Sequence, residues 1–201
     1  MQRFTDLINN FEKLRTALEG SHVTGQAAGY NYWYEHRYPI VQAINRSGSI
    51  LDIGSANGFL LRSLVEWSSH KLLPYGIEPD EALLEKSRIM FPKFADHFAN
   101  VSLHKLDQAR RLGLPNQFDF VYWCVWDDFN FSDKKFSGWL ESAYDAVKKG
   151  GRLILGFYDG NLSIIDRKID WLDRNFQPVQ NRLDSETQEE IFVWFDKKLD
   201  T

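Results

Sequence analysis

Residues 50–61 read Ile50-Leu51-Asp52-Ile53-Gly54-Ser55-Ala56-Asn57-Gly58-Phe59-Leu60-Leu61. A short apolar run with one acid gives way to a turn of small residues, and then to an amphipathic pattern. That order predicts a buried strand, a tight loop and a helix N-terminus. Glycines at such a junction let a ligand approach bare backbone, and the first helical N–H groups point outward as donors. A dinucleotide loop needs Gly-x-Gly-x-x-Gly to bring its backbone to a pyrophosphate. Here position 56 is Ala and the glycines stand four apart, so NAD and FAD are poorly matched. The Gly-Lys-Ser/Thr end of a phosphate loop is also missing. The alternative is an ordinary strand–helix turn.

The sequence on either side alternates in character. Strands are expected at 49–53, 73–78, 101–105, 118–125 and 152–157, with helices at 58–69, 80–90 and 133–149 between them. Asp80 suits the cap of the second helix, and Ser132 or Asp133 that of the third. Lys148-Lys149-Gly150-Gly151 has the cations and glycines of a helix end. Strands alternating with helices predict a doubly wound, mostly parallel α/β sheet. A helix at 161–175 follows, then strand-like runs near 176–183 and from Glu190 to Asp196, joined by a turn at 184–187. They form a hairpin at the sheet edge, giving seven strands with an antiparallel C-terminal strand.

Ahead of the core, Phe4, Leu7, Ile8, Phe11, Leu14 and Leu18 recur at helical spacing over 2–19. A second helical pattern over 30–45 sets Tyr30, Trp33, Tyr34, Arg37, Tyr38 and Val41 on one face, with a break expected near Tyr38 because of Pro39. No linker divides the chain. One domain is expected, with N-terminal helices over 1–47, a core over 48–158, and a C-terminal helix and hairpin over 159–201.

The 201 residues suffice for one real core. A net charge of −4 argues against a broad phosphate-binding surface, so nucleic acid is not the expected partner. Cys124 is the sole cysteine, which excludes an internal disulfide and suits a reducing, cytoplasmic compartment. No apolar run has the length of a signal peptide or a membrane span. The histidines show no metal-ligand spacing, so no metal is expected.

The glycine loop resembles the first motif, Leu-Asp-x-Gly-x-x-x-Gly, of class I S-adenosylmethionine-dependent methyltransferases. Four further segments, in order, extend the resemblance over about 48–158. Tyr75-Gly76-Ile77-Glu78-Pro79-Asp80 resembles the second motif, and Leu103-His104-Lys105-Leu106-Asp107-Gln108 the third. Phe118 to Phe129 resembles the fourth strand, and Val147-Lys148-Lys149-Gly150-Gly151-Arg152-Leu153 the segment before the fifth. The resemblance implies S-adenosyl-L-methionine as cofactor. It implies that the 54–58 backbone, with Ser55, Ala56 and Asn57, packs on the methionine half, and that Asp52 organises the loop and the cofactor's amino group. Glu78, beside Pro79, would accept the ribose hydroxyls. Asp107 would take the adenine amino group and Gln108 would offer the adjacent N–H. The bland alternatives are a dipole-stabilising acid for Glu78 and a solvated loop acid for Asp107.

Trp123, Cys124 and Trp126 would line the cofactor or acceptor pocket, or simply pack the core. The fourth motif lacks Asn/Asp-Pro-Pro-Tyr/Phe, which sets the chain apart from many methylators of amides and exocyclic amines in that family. The 1–47 helices would form a lid, with Tyr30, Trp33 and Tyr34 on it; half of these rings would equally serve to pack a helix onto the sheet. His36, Asp127 and Asp128 are the candidates for a base, although none declares itself. The expectation is methyl transfer to an O, N or C atom of a small molecule. The alternatives are an RNA or protein methyltransferase, or a non-catalytic cofactor-binding protein.

Overall fold

The computed structural model describes residues 29–126, 128–158, 161–184 and 190–199, without the side chains of 29–32. The helix expected over 2–19, Asp127, the Tyr30 side chain and turn residues 185–187 therefore lie outside the described residues.

Helix α1 (Gly29–Arg37) runs into a 3-10 turn, Tyr38–Ala43, with Pro39 at its start. The break near Tyr38 follows from the missing proline N–H. Strand β1 (Gly48–Ile53) and helix α2 (Phe59–Trp67) flank the glycine loop. They are followed by β2 (Leu72–Ile77), α3 (Glu81–Met90), β3 (Phe98–Ala99), α4 (Leu106–Arg111) and β4 (Phe118–Val125). Then come α5 (Lys134–Asp145), β5 (Val147–Phe157), α6 (Leu162–Asn175), β6 (Arg182–Asp184) and β7 (Ile191–Asp196).

The seven strands form one sheet in the order β3-β2-β1-β4-β5-β7-β6. The pairs from β3 to β5 are parallel, and β7 runs antiparallel to both β5 and β6. Apolar layers cover both faces. On one, Ile50, Phe120, Tyr122 and Ile154 meet Ile40, Leu61, Leu64 and Leu84. On the other, Leu51, Val121, Trp123 and Leu155 meet Leu140, Ile165 and Leu172. The strand alternation of residues explains the division, since neighbours along a strand face opposite layers. Strand order reverses between β1 and β4, which opens a crevice at their carboxyl ends.

Three expectations need correction. The strand expected at 101–105 is two residues long and earlier, at Phe98–Ala99, and Leu103–Lys105 is a 3-10 turn. Pro74 of β2 has no N–H to extend the ladder toward β3, and its carbonyl takes His97 Nδ1 at 2.9 Å instead. Past Ala99 the chain turns at once, with Val101 N donating to Ala99 O at 2.9 Å. The helix expected over 133–149 stops at Asp145, and Lys148 to Gly151 belong to β5. Lys148 reaches Asp119 at 2.8 Å rather than a helix end, and the β4–β5 register is irregular between Phe118 and Phe120. Of the strand-like run near 176–183, only Arg182–Asp184 pairs. Among the described residues, no helix is long and apolar enough to cross a membrane.

Candidate functional site

Strand alternation sends Asp52 to the α2 face of the sheet, between Leu51 and Ile53, which face the other way. The chain leaves β1 at Gly54, whose φ of 74° suits glycine. Gly54 N and Ser55 N both donate to Ile77 O, at 2.9 and 3.0 Å, and so tie the loop to the end of β2. Ala56 is left-handed at φ 46° without being glycine. Two bonds hold it there: its N–H donates to Glu78 Oε2 at 2.9 Å, and its carbonyl accepts from Ser87 Oγ at 2.8 Å. Gly58, at φ 75°, opens α2, with Asn57 Oδ1 accepting from Phe59 N at 3.1 Å.

The two glycines do different work. A Cβ on Gly58 would lie 3.0 Å from Ser87 Oγ and 3.2 Å from its Cα, so that position is closed by packing. A Cβ on Gly54 would meet nothing within 4 Å, and Gly54 is exposed. The loop is therefore backed by α3 at Gly58 and open at Gly54.

Glu78 follows the last residue of β2 and is buried. Besides Ala56 N, its carboxylate accepts from Asp80 N, through Oε1 at 2.9 Å. A carboxylate oxygen has two lone pairs, so each retains one for a ligand. Asn100 Nδ2 donates to the carbonyls of Glu78 and Pro79, at 3.2 and 3.0 Å, and fixes the turn beneath. Asp52 is also buried, and burial pushes its carboxyl up to about 7, with the negative charge of Glu78 adding to the shift. Ser55 Oγ is buried with no hydrogen-bond partner among the described residues.

Across the crevice, β4 and β5 present Tyr122, Cys124 and Gly156 to the same side. Asp52 and Tyr122 are partners in the β1–β4 register. The Tyr122 hydroxyl is hydrogen-bonded to that of Tyr158, just past β5. A Cβ on Gly156 would lie 2.6 Å from the first hydroxyl and 2.8 Å from the second, so only glycine leaves room for the pair. Burial pushes the Tyr158 phenol up to about 12, against the pull of the Arg37 charge. The Arg37 guanidinium stands 3.8 Å from the Tyr158 ring centroid and forms an ion pair with Glu190. Trp33 Nε1 donates to Ser63 Oγ at 3.0 Å, which seats α1 on α2.

The structure thus brings together Asp52, Gly54, Ser55, Ala56, Asn57, Gly58 and Glu78. Pro79 is exposed at the turn. Asp107 and Gln108 sit exposed on α4, and Asp107 lines a cavity of about 210 Å³ with His104, Arg110 and Asn116. That lining shares no residue with the Asp52–Glu78 group. Trp123 packs in the core, edge-on to Phe129 and Phe131 at 5.3 and 6.2 Å. Trp126 is exposed at the rim, and so is Asp128. His36, on α1, is buried. The single aromatic face expected for 30–45 is divided: Trp33 and Arg37 turn inward, while Tyr34 and Tyr38 stack outside against Trp67. Residues four apart share a side of a helix, so Trp33 and Arg37 lie together and Tyr34 and Tyr38 lie about 100° round from them.

Sequence reasoning missed Ser87, Asn100, Tyr122 and Tyr158. The rule that ligands gather beyond the carboxyl ends of strands would have pointed to Tyr158. No sequence signal marks Ser87. Among the described residues, no group of three or more His, Cys, Asp or Glu could hold a metal ion.

No protein-family profile and no curated protein sequence matches the chain. Solved structures do. The N-methyltransferase NodS from Bradyrhizobium japonicum WM9 superposes with a TM-score of 0.60 at 12% identity, over 85% of this chain and 98% of that one. Aeropyrum pernix fibrillarin, solved with bound S-adenosyl-L-methionine, gives 0.58 at 11% identity, over 81% and 76%. A SAM-dependent methyltransferase from Aquifex aeolicus gives 0.56 at 15% identity, over 80% and 90%. With the strand order and the lone antiparallel β7, these likenesses establish that the chain has the fold of the class I S-adenosylmethionine-dependent methyltransferases.

Proposed function

We propose that the protein is an S-adenosylmethionine-dependent methyltransferase that binds its cofactor between the 54–58 loop and Glu78. The observation that carries this reading is the pairing of two buried carboxylates, Asp52 and Glu78, beside an exposed glycine whose Cβ position is open. Their mutual repulsion favours a ligand that brings positive charge, and S-adenosylmethionine carries an ammonium and a sulfonium. Its ribose diol matches the lone pairs left on Glu78. The unpartnered Ser55 hydroxyl adds one more polar atom to the same loop. The cofactor supplies an activated methyl group. The chain's own contribution is alignment in a crevice that excludes water.

The acceptor lies, in this reading, on the Tyr122–Tyr158 side. A phenol raised to about 12 is a hydrogen-bonding group rather than a base near neutral pH. The acceptor we favour is a small molecule, since the chain is acidic. Asp107 and Gln108 remain proposed adenine contacts, which α4 would have to present toward the crevice. A cytoplasmic setting is proposed from the single cysteine.

The test is incubation with methyl-labelled S-adenosylmethionine and, separately, a metabolite extract, total RNA and a ribosomal protein fraction, read by mass spectrometry. Label in a metabolite supports the reading. Label only in RNA or protein would move the acceptor to a macromolecule, and none in any fraction would leave a binding protein.

A further inference from the structure

We infer that Lys168 is a positioning residue: its buried ammonium fixes the turn after β4, so that the Trp126 ring stands at the rim as a stacking face for an acceptor with a flat, unsaturated ring. The acceptor class rests on the crevice being the cofactor site. Helix α6 packs on the β4–β5 face through Ile165, Ile169 and Leu172. Lys168 lies in the same buried stripe and is 7% exposed. Its Nζ donates to the carbonyl of Trp126, the first residue beyond β4, at 3.0 Å. The same carbonyl accepts from Phe129 N at 3.0 Å, which closes the turn. Inside the turn, the Phe129 ring lies 5.3 Å from Trp123, edge-on, and 4.6 Å from Phe136. The turn is thus fastened twice, by α6 and by Phe129.

Neither fastening buries the Trp126 ring, which meets Phe129 only edge-on at 6.4 Å and stays 60% exposed. Burying an ammonium is costly. A leucine or methionine at 168 would extend the Ile165–Ile169 stripe and pack α6 without that cost. The Trp126 carbonyl already has a donor in Phe129 N, so the fold does not need Lys168 to satisfy it. A lysine adds a second, directional bond to one carbonyl, and that bond holds the turn in a single geometry. On a loose turn the indole would fold back onto Phe129 and hide its apolar face. On a fixed turn it is ordered before any ligand arrives, which lowers the entropy cost of stacking. The carboxyl end of β4, beside the reversal of strand order, is where acceptor and methyl donor meet in the proposed reaction. A tryptophan face there favours an offset-stacked ring over a saturated group of the same size.

The test is fluorine NMR of the full chain labelled with 5-fluorotryptophan. The Trp126 resonance is identified by its loss in Trp126→Phe, and indole and cyclohexanol are the probes. Indole should shift that resonance saturably, and cyclohexanol should not. In Lys168→Met the Trp126 resonance should move or broaden while those of Trp33 and Trp194 stay, and the indole dissociation constant should rise about fivefold. Lys168→Arg returns a donor to the carbonyl and should recover most of that loss. A Trp126 resonance indifferent to indole overturns the stacking face. An unchanged resonance and indole affinity in Lys168→Met overturn the positioning role, and so does a folded Lys168→Arg that recovers nothing, since the loss is then one of packing. If every tryptophan resonance moves in Lys168→Met, that variant has lost its fold, and Lys168→Gln is read by the same criteria. In the metabolite assay the labelled product should carry an aromatic ring, and a saturated product overturns the acceptor class. Wild type that binds indole at Trp126 but no S-adenosylhomocysteine supports the stacking face and refutes the cofactor reading.

Discussion

Glu78 Oε2 accepts a 2.9 Å hydrogen bond from the backbone N–H of Ala56, the one non-glycine residue with positive φ among the described residues. A side chain at the end of β2 thereby holds the loop after β1 in a conformation its sequence does not favour. Glu78→Ala removes a buried carboxylate from two part-buried hydrogen bonds, those of the Ala56 and Asp80 N–H groups, and should cost about 1–3 kcal/mol of stability in urea unfolding. It should also abolish any thermal shift by S-adenosylhomocysteine. A variant with full stability would show that the loop is held by other means.

The two loop glycines should separate stability from binding. Gly54→Ala adds a methyl that meets no protein atom, so its cost is the left-handed backbone alone, about 1–2 kcal/mol. Gly58→Ala carries the same backbone cost plus the approach to Ser87, and should unfold at lower denaturant than Gly54→Ala. Cofactor affinity, measured by calorimetry on whatever remains folded, should fall more for Gly54→Ala.

Asp52 gives a pH signature. Its folded value of about 7 lies above the ordinary 3.8, so its protonated form is favoured by folding. That stability is full below pH 4, declines as pH rises toward 7, and is gone above it. Asp52→Asn should therefore raise unfolding free energy at pH 8 by about 2–4 kcal/mol and flatten the slope between pH 4 and 7. The same variant should bind S-adenosylmethionine more weakly, the trade expected where a site stores strain.

Asp119 has the opposite sign, at the other end of the sheet. Ser49 N, Ser49 Oγ and Lys148 Nζ donate to its Oδ2 at 2.9, 2.8 and 2.8 Å, and together they outweigh the cost of its burial and hold it at about 2. Its contribution is present above pH 4 and lost as pH falls toward 2. With Lys148 45% exposed and screened, Asp119→Asn should cost about 1–2 kcal/mol at pH 7, a deficit that closes in acid unfolding near pH 2.

The parts of this fold that the sequence announces are the local ones. β1, β2 and β4 are short, mostly apolar runs, and α2, α3, α5 and α6 each carry their own spacing, whereas α4 is not foreseen. Asp80 and Asp133 cap α3 and α5 as their positions suggest, accepting from Ala82 and Lys135 at 2.8 Å. The loop Gly54–Gly58 and Glu78 come together because the order of strands places them side by side. What stayed hidden depends on partners distant in the chain. Pro74 decides the length of β3 from the neighbouring strand. Lys148 looks like a helix-terminal cation until Asp119 is seen across the sheet. Arg37 and Glu190 lie near opposite ends of the chain, and nothing local to either predicts their pairing. Asp107 has the expected place in sequence, yet α4 begins just ahead of it and carries it to the surface.

The most direct measurement is calorimetric titration of S-adenosylhomocysteine into the wild-type protein at pH 8, with Glu78→Ala in parallel. A single saturable site in the wild type, lost in the variant, is the predicted result. At a hundredfold excess over Kd it should also stabilise the fold by about 2.7 kcal/mol. Absence of binding to the wild type at millimolar ligand would contradict the assignment of this crevice to the methyl donor.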